Sequence, residues 1–437
     1  MKSFIDDWRD AWVSLLAGIA VIIAFSAAWQ APLFGYNDQQ SEAAGALMRN
    51  FYYPFYLCGV FLAWRGGLRL LDATWRTATL LALFGLCIAS ILWSIDPSGT
   101  MRRLVALFMT MLCAYALASR FSWKRLSELL AVSFAIMTAA SIVLAVVFPM
   151  MGKMQTLFPG AWRGVWIEKN MLGTYMAIGF TACAAAAIHN PARRWFWWGV
   201  SAVMVFVMLM STSKTALVST LIGVAGVSFV YLTGRGPITG IVMTWLAVCA
   251  VLALAGFALA APDQLFLLLG KDPTLTGRTF IWDGIRRVIA ERPTLGYGYG
   301  VVWTDTDPFA PLAKIVHVAG FRPYHAHSAW MEVWLGLGRV GLTVWSVLFA
   351  EMWLKGFYRT WRGDGGVFAL PLIGIYSLST LTESMALGWN DLHWCLAVMV
   401  FVKLSLPGDV DSTERAGEVQ VNQNLPWGQG RGTARAA

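Results

Sequence analysis

Apolar residues in this chain run on for some twenty positions at a time, separated by short polar connections. The runs fall near 11–29, 46–64, 74–94, 104–119, 127–149 and 170–188, then near 194–211, 215–233, 237–261, 329–354, 366–386 and 391–406. A helix rising ~1.5 Å per residue needs about 20 apolar residues to cross a hydrocarbon core of about 30 Å. The pattern therefore predicts an all-α polytopic membrane protein with about twelve transmembrane helices. One connection is out of scale, residues 262–328, between the ninth and tenth runs. Inside it, Gly277–Ile289 reads as an amphipathic helix that ends at Glu291-Arg292-Pro293, and Gly296-Tyr297-Gly298-Tyr299-Gly300 reads as a flexible turn. The expected organisation is helices 1–9 in residues 1–261, a large, partly helical loop in 262–328, helices 10–12 in 329–406, and a polar, disordered tail in 407–437.

Composition supports this. Of 437 residues 58% are hydrophobic and 13% charged, against about 25% charged in soluble domains. A soluble globule, a disordered chain and a disulfide scaffold are excluded. The net charge of +9 would suggest nucleic acid in a soluble protein. Here the cations sort by side of the membrane instead. Alternate connections carry Arg65, Arg69 and Arg76; Arg120, Lys124 and Arg125; Arg193 and Arg194; Arg235; and Lys355, Arg359 and Arg362. With Lys2 and Arg9 they assign that face, and both termini, to the cytoplasm. No nucleic-acid partner is expected. No cleavable leader is evident, so the run behind Asp6, Asp7 and Asp10 reads as the first span. Six cysteines stand singly in apolar stretches, without metal or redox spacing, and are expected as buried free thiols.

The opposite face should be poor in Lys and Arg, so its exceptions carry information: Arg102, Arg103, Arg163, Lys169, Lys214, Arg278, Arg286, Arg287, Arg292 and Arg322. Cations at the outer mouth of an apolar bundle imply an anionic, lipid-associated ligand, and the arginine fork suits phosphate. Arg286, Arg287 and Arg292 are explained as well by lipid headgroups or by pairing with Asp272, Asp283 and Glu291. A second constellation, Arg322-Pro323-Tyr324-His325-Ala326-His327-Ser328, precedes the tenth run, with His317 nearby. A neutral imidazole, with an ordinary pKa of about 6.5, can take a proton from a hydroxyl. A zinc site is disfavoured, because His325 and His327 are two apart and no Cys or Glu with ligand spacing stands beside them. The Asp305-Thr306-Asp307 triplet resembles the acidic pair of nucleotide-sugar glycosyltransferases, but it stands alone, on a face where nucleotide sugars do not normally occur.

From about Trp93 to Asn390 the sequence resembles the bacterial superfamily of O-antigen polymerases, O-antigen ligases and exopolysaccharide polymerases. Trp93-Ser94-Ile95-Asp96-Pro97 is similar to the loop before the family's fourth span. Arg163-Gly164, followed by Lys169-Asn170-Met171-Leu172-Gly173, resembles its Arg-Gly … Lys-Asn-x-Leu-Gly signature, and Ser211-Thr212-Ser213-Lys214-Thr215 its Ser-x-Ser-Arg/Lys-Thr hairpin. Arg278-Thr279 with Trp282, then Arg292-Pro293 and Leu295-Gly296-Tyr297-Gly298, is similar to the start of its large periplasmic loop. The most specific match is His327-Ser328, nine residues, then Gly338-Arg339-Val340-Gly341.

The resemblance implies a metal-independent, cofactor-free glycosyltransferase of the bacterial inner membrane that uses a polyprenyl-diphosphate-linked glycan as donor, with its active site facing the periplasm. Carried over by position, His327 is the base acting on the acceptor hydroxyl, and Arg278 and Lys214 hold the donor diphosphate. Lysine at 214 keeps the charge and lacks the bidentate fork. Arg163, Lys169, Asn170, His325 and Arg322 are further substrate-binding candidates. The expected partners are the donor, a glycan or lipid A-core acceptor, membrane lipids and a chain-length regulator. The Leu295–Trp303 and Arg322–Ser328 stretches look most like the exopolysaccharide polymerase branch. A ligase acting on lipid A-core is the alternative, a protein-glycosylating relative a third, and a transporter a remote fourth, since the two halves show no internal repeat.

Overall fold

The computed structural model describes residues 2–36, 42–156, 158–261, 264, 277–304, 307–363 and 365–409. Among them the chain is helical, with one isolated bridge between Lys153 and Trp162 and no strand. The principal helices are α1 (Lys2–Phe25), α2 (Tyr53–Gly66), α3 (Leu68–Trp75), α4 (Ala78–Ala89), α5 (Pro97–Arg120), α6 (Trp123–Val147), α7 (Lys169–His189), α8 (Arg194–Met210), α9 (Lys214–Thr233) and α10 (Pro237–Ala260). After them come α11 (Arg278–Glu291), α12 (Pro311–Ala319), α13 (Ala329–Arg362), α14 (Ala369–Thr382) and α15 (Leu392–Ser405).

Each of the apolar runs is helical, though not each is one rod. Among the described residues six helices, α5, α6, α7, α9, α10 and α13, are long and apolar enough to cross a membrane. The run at 74–94 spans the junction of α3 and α4, a pair bent by 80° that makes a seventh span if counted as one. The run at 46–64 is divided between the helix Glu42–Phe51 and α2. Apolar α14 and α15 have 14 residues each, reaching ~21 Å at ~1.5 Å per residue. They sit where protein rather than lipid surrounds them: every residue of α15 is buried. The irregular Glu383–Asp391 segment between them is tolerated for the same reason, since its polar backbone finds partners inside the bundle. Tyr299 Oη donates to Leu387 O at 2.6 Å, and Asn390 N donates to Thr110 Oγ1 at 2.9 Å.

Side-chain caps fix several helix starts. Asp96 accepts from Gly99 N at 2.9 Å before α5, Ser213 from Ala216 N at 3.3 Å before α9, and Asp391 from Trp394 N at 2.8 Å before α15. α7 lies deepest among the first ten helices, and its run of alanines lets neighbours approach closely. At Gly173 a side chain would collide with Ala216 and Ser211, so the close seating of α7 on the start of α9 needs glycine there. α10 is the opposite case, with 6% of its most apolar stretch buried, and it carries the exposed Cys249. The expectation of buried thiols therefore fails at Cys249, which faces outward, and at half-buried Cys58; the other four cysteines are buried.

The motifs that resemble the superfamily lie far apart in sequence and pack together in two groups. In the first, α13 breaks at Gly338, whose φ of +63° is left-handed and whose missing side chain leaves room for the Thr294 backbone. The freed carbonyls of Leu335 and Gly336 accept from Tyr297 N at 3.1 Å and Gly298 N at 2.9 Å, while Arg339 N donates to Pro293 O at 2.9 Å. The Trp93–Pro97 segment closes the other side, with Ile95 N donating to Tyr297 O at 3.1 Å and Trp93 Nε1 to Leu295 O at 2.9 Å. The expected flexible turn at 296–300 is therefore an ordered, hydrogen-bonded strap with Tyr297 and Tyr299 buried. Its glycines serve close backbone contact rather than mobility. The amphipathic helix is found as α11, whose apolar face (Ile281, Ile285, Val288, Ile289) packs with Tyr297, Ile315 and Leu335 in a small separate core. Residues 265–276, Asp305-Thr306 and the tail from 410 lie outside the described residues.

Candidate active site

Helix α11 begins at Arg278, and its guanidinium reaches the end of α14. There Nη2 pairs with Glu383 Oε1 at 3.1 Å, and Nη1 donates to the carbonyl of Thr382. A cation at a helix C-terminus meets the negative end of its dipole, so Arg278 binds both the helix end and the carboxylate beyond it. The other carboxylate oxygen, Oε2, faces His327 Nδ1 at 3.1 Å. One carboxylate thus joins the expected base and one of the expected phosphate-binding cations, residues 49 positions apart in sequence.

His327 is held firmly. Its φ of +51° is left-handed, a conformation costing roughly 1–2 kcal/mol for a residue with a Cβ. Neighbours on both sides hold it there. Trp282 Nε1 donates to Ala326 O at 2.9 Å, and Ala326 N donates to Glu332 Oε1 at 2.7 Å. Glu332 also accepts from Trp303 Nε1 at 2.8 Å and Ser384 Oγ at 2.9 Å, so this half-buried carboxylate ties α13, the Val302–Thr304 turn and the 384 turn together. The His325 ring lies 3.9 Å from that of His327, and its Nδ1 accepts from His327 N at 3.3 Å.

Electrostatics assign the proton positions. Burial pushes the Glu383 carboxyl up, but the hydrogen bond from His327 and the charges of Arg278 and the histidines outweigh it, leaving a net depression. An ionised carboxylate only accepts, so the His327 Nδ1 facing it carries a hydrogen. For His325, burial and then the neighbouring His327 lower the pKa to about 4, so its ring is neutral at pH 7. His325, His327 and Glu383 bring ligand atoms within 4.8 Å of one another, close enough for a metal ion. Glu383 is already engaged by the Arg278 guanidinium, and a divalent ion there would face that fixed positive charge.

The second group of motifs forms a cationic patch. Ser213 Oγ donates to Asn170 Oδ1 at 2.8 Å, and Lys169 Nζ donates to Thr212 Oγ1 at 3.3 Å while lying 3.6 Å from the centre of the Phe158 ring. Arg163 is buried over Tyr36, 3.9 Å from the ring centre, and donates to the carbonyls of Met151 at 2.8 Å and Met150 at 3.3 Å. Burial pulls its pKa below the ordinary guanidinium value. Lys214, first residue of α9, is exposed, and among the described residues it has no hydrogen-bond or ion-pair partner. Helices α9 and α14 pack antiparallel, with Gly223 against Ile375, Gly226 against Pro371 and Ile222 against Gly374. Continuing that register sets Lys214 level with Glu383.

The structure therefore brings Arg278, His325 and His327 into one contact group. It gathers Lys169, Asn170 and Lys214 at the α7–α9 junction, with Arg163 held apart on the backbone of residues 150–151. Arg322 is exposed, outside the group. Of the arginines attributed to surface pairing, Arg286 bonds Asp283 at 2.8 Å, whereas Glu291 takes Lys314 at 2.6 Å and Arg292 stacks on Tyr297. Sequence reasoning missed Glu383, Glu332 and Ser384. The available signal was a carboxylate closing an otherwise apolar run, 366–386, on the side assigned to the outer face.

Residues 199–346 match the family model Wzy_C, described as O-antigen ligase. Over 304 residues the chain is 23% identical to the exopolysaccharide production protein ExoQ of Rhizobium meliloti (strain 1021), covering 66% of this chain and 67% of that protein. The two matches bear out the resemblance to the O-antigen polymerase and ligase superfamily. The family match contains Lys214, Arg278, His325, His327 and the Gly338–Gly341 break, and ends before Glu383.

Proposed function

We propose that this protein is a membrane glycosyltransferase of surface-polysaccharide assembly, moving a glycan from a polyprenyl-diphosphate carrier to a sugar hydroxyl. The observation that carries the reading is the Glu383 carboxylate, shared between Arg278 and His327 at 3.1 Å each. It couples a proton acceptor to a phosphate-binding cation. In this reading the protein sits in the bacterial inner membrane with about twelve spans, both termini cytoplasmic and the site facing the periplasm.

Arg278 and Lys214 receive the donor diphosphate, with Lys169 adding charge from the α7 side. Arg278, held in place by Glu383 and the Thr382 carbonyl, stabilises the charge that develops on the leaving group without reorganising. The acceptor oxygen forms a bond to the anomeric carbon. The bond from that carbon to the diphosphate oxygen breaks, and its electron pair departs with the polyprenyl diphosphate. The acceptor proton passes to Nε2 of His327 and then to water, while Glu383 stabilises the imidazolium so formed. Attack opposite the leaving group inverts the anomeric centre.

The similarity to ExoQ and the 295–303 strap favour repeat-unit polymerisation, with a chain-length regulator as partner. The description of the matching family favours the second reading, transfer of glycan to lipid A-core. A deletion strain tests both. Single repeat units accumulating on the lipid carrier mark a polymerase, and long chains stranded on it mark a ligase. Complementation with His327→Ala must fail in either case, and restored polysaccharide from that variant overturns the proposal.

A further inference from the structure

Arg278, Glu383, His327 and His325 follow one another across the site, each in contact with the next. Beyond His325 a cavity of about 340 Å³ opens, lined by none of the expected phosphate-binding residues. Its volume lies near the lower end of the roughly 300–1,000 Å³ typical of small-molecule sites, suiting a short sugar segment and excluding a bulky lipid. Three features give it chemistry. Trp389 and Tyr324 stand on its wall as exposed aromatic faces, 40% and 67% accessible. Arg103 lies 5.2 Å from the Trp389 ring centre and donates to Thr304 Oγ1 at 3.1 Å, which braces that rim. Asp391 and Ser384 add polar groups to its lining. Flat aromatic faces against C–H surfaces, with a few convergent polar groups, suit a pyranose ring.

We propose that this cavity is the acceptor subsite: the terminal sugar of the receiving glycan stacks on Trp389 and turns its hydroxyl towards His327, opposite the diphosphate held at Arg278. The inference rests on the glycosyl-transfer reading and adds to it the separation of the two substrates on either side of the imidazole. Gly300 allows the arrangement, because a side chain there would come within 3.0 Å of Arg103 and 3.1 Å of Trp389. The strap motif thereby gains a role in the rim that grips the acceptor.

The test uses the full-length protein in detergent. The probe is the lipid-free, single-repeat-unit oligosaccharide released by mild acid from the lipid-linked intermediates of a deletion strain. Binding is read by saturation-transfer NMR, and transfer onto the oligosaccharide by product size. Trp389→Ala should raise the acceptor KM at least tenfold and abolish the NMR signal, with the donor KM within twofold of wild type. Trp389→Phe, which keeps an aromatic face, should recover most of both. Thermal melting confirms that each variant is folded. An acceptor KM unchanged in folded Trp389→Ala, or a rise confined to the donor KM, overturns the subsite. If the wild type binds the oligosaccharide through Trp389 but transfers nothing, the glycosyl-transfer reading falls and the sugar subsite stands. If the wild type does not bind it at millimolar concentration, the subsite falls.

Discussion

Glu383→Gln removes the charge from the one group that touches both halves of the proposed machinery while keeping its size. The ionised carboxylate makes two charge-assisted contacts at 3.1 Å, to Arg278 and His327, and all three side chains are less than one-third exposed. Such contacts contribute about 1.5–3 kcal/mol each against about 0.5–1.5 kcal/mol for neutral hydrogen bonds. Replacing both by neutral partners therefore removes about 2–3 kcal/mol. If the transition state needs both groups in place, each 1.36 kcal/mol is tenfold, and kcat/KM falls by about 30- to 160-fold. The assay is turnover of a lipid-diphosphate-linked oligosaccharide by detergent-purified protein, with thermal melting as the folding control. Groups that act as a unit lose activity once, so Glu383→Gln with Arg278→Gln should be little worse than the more damaging single change. A folded Glu383→Gln within threefold of wild type refutes the reasoning, as does a double variant in which the two losses multiply.

Three more outcomes follow from the same geometry. Lys214→Ala should raise the donor KM about tenfold or more with a smaller effect on the acceptor, and Lys214→Arg should retain activity because the longer fork still reaches a diphosphate at the level of Glu383; substrate-dependent kinetics separate the two. Activity should survive exhaustive chelation, measured with EDTA before and after adding back zinc or magnesium, because Arg278 supplies the positive charge beside His325, His327 and Glu383. Apparent thermal stability should fall on acidification. His325 titrates near pH 4 when folded against about 6.5 when free, so the unfolded chain binds the extra proton, and stability that is full above pH 6.5 declines towards pH 4. Glu383, held below its ordinary value, adds a loss at still lower pH as the carboxylate is protonated. His325→Gln should flatten the decline between pH 6.5 and 4, which melting curves across that range would show.

The apolar runs were legible as helices because twenty-residue apolar stretches are a property of the chain alone, although six of those helices, or seven with the bent pair, are long enough to cross a membrane among the described residues. The 80° bend between α3 and α4 was not, since no proline or glycine marks residues 75–78 and the packing of neighbours decides the path. His327, Arg278 and Lys214 could be named from motif order. Their relation could not, because it runs through Glu383, a solitary acid at the end of an apolar run whose partners lie 56 and 105 positions away. The glycines of 296–300 signalled a turn by composition. Their actual constraint is tertiary, since the strap replaces hydrogen bonds that α13 loses at Gly338, and this follows only from the positions of Leu335 and Gly336 in space. Residues 170 and 213 illustrate the same limit: each sits in a recognisable motif, and the bond between them is visible only in the fold.

The most direct measurement is turnover by the purified protein in detergent, with no ion gradient present, given a polyprenyl-diphosphate-linked repeat unit and an acceptor glycan. Release of polyprenyl diphosphate matched by one new glycosidic bond, with inverted anomeric configuration and at least a thousandfold loss in folded His327→Ala, is the expected result. No turnover by wild type, or undiminished turnover by His327→Ala, would contradict it.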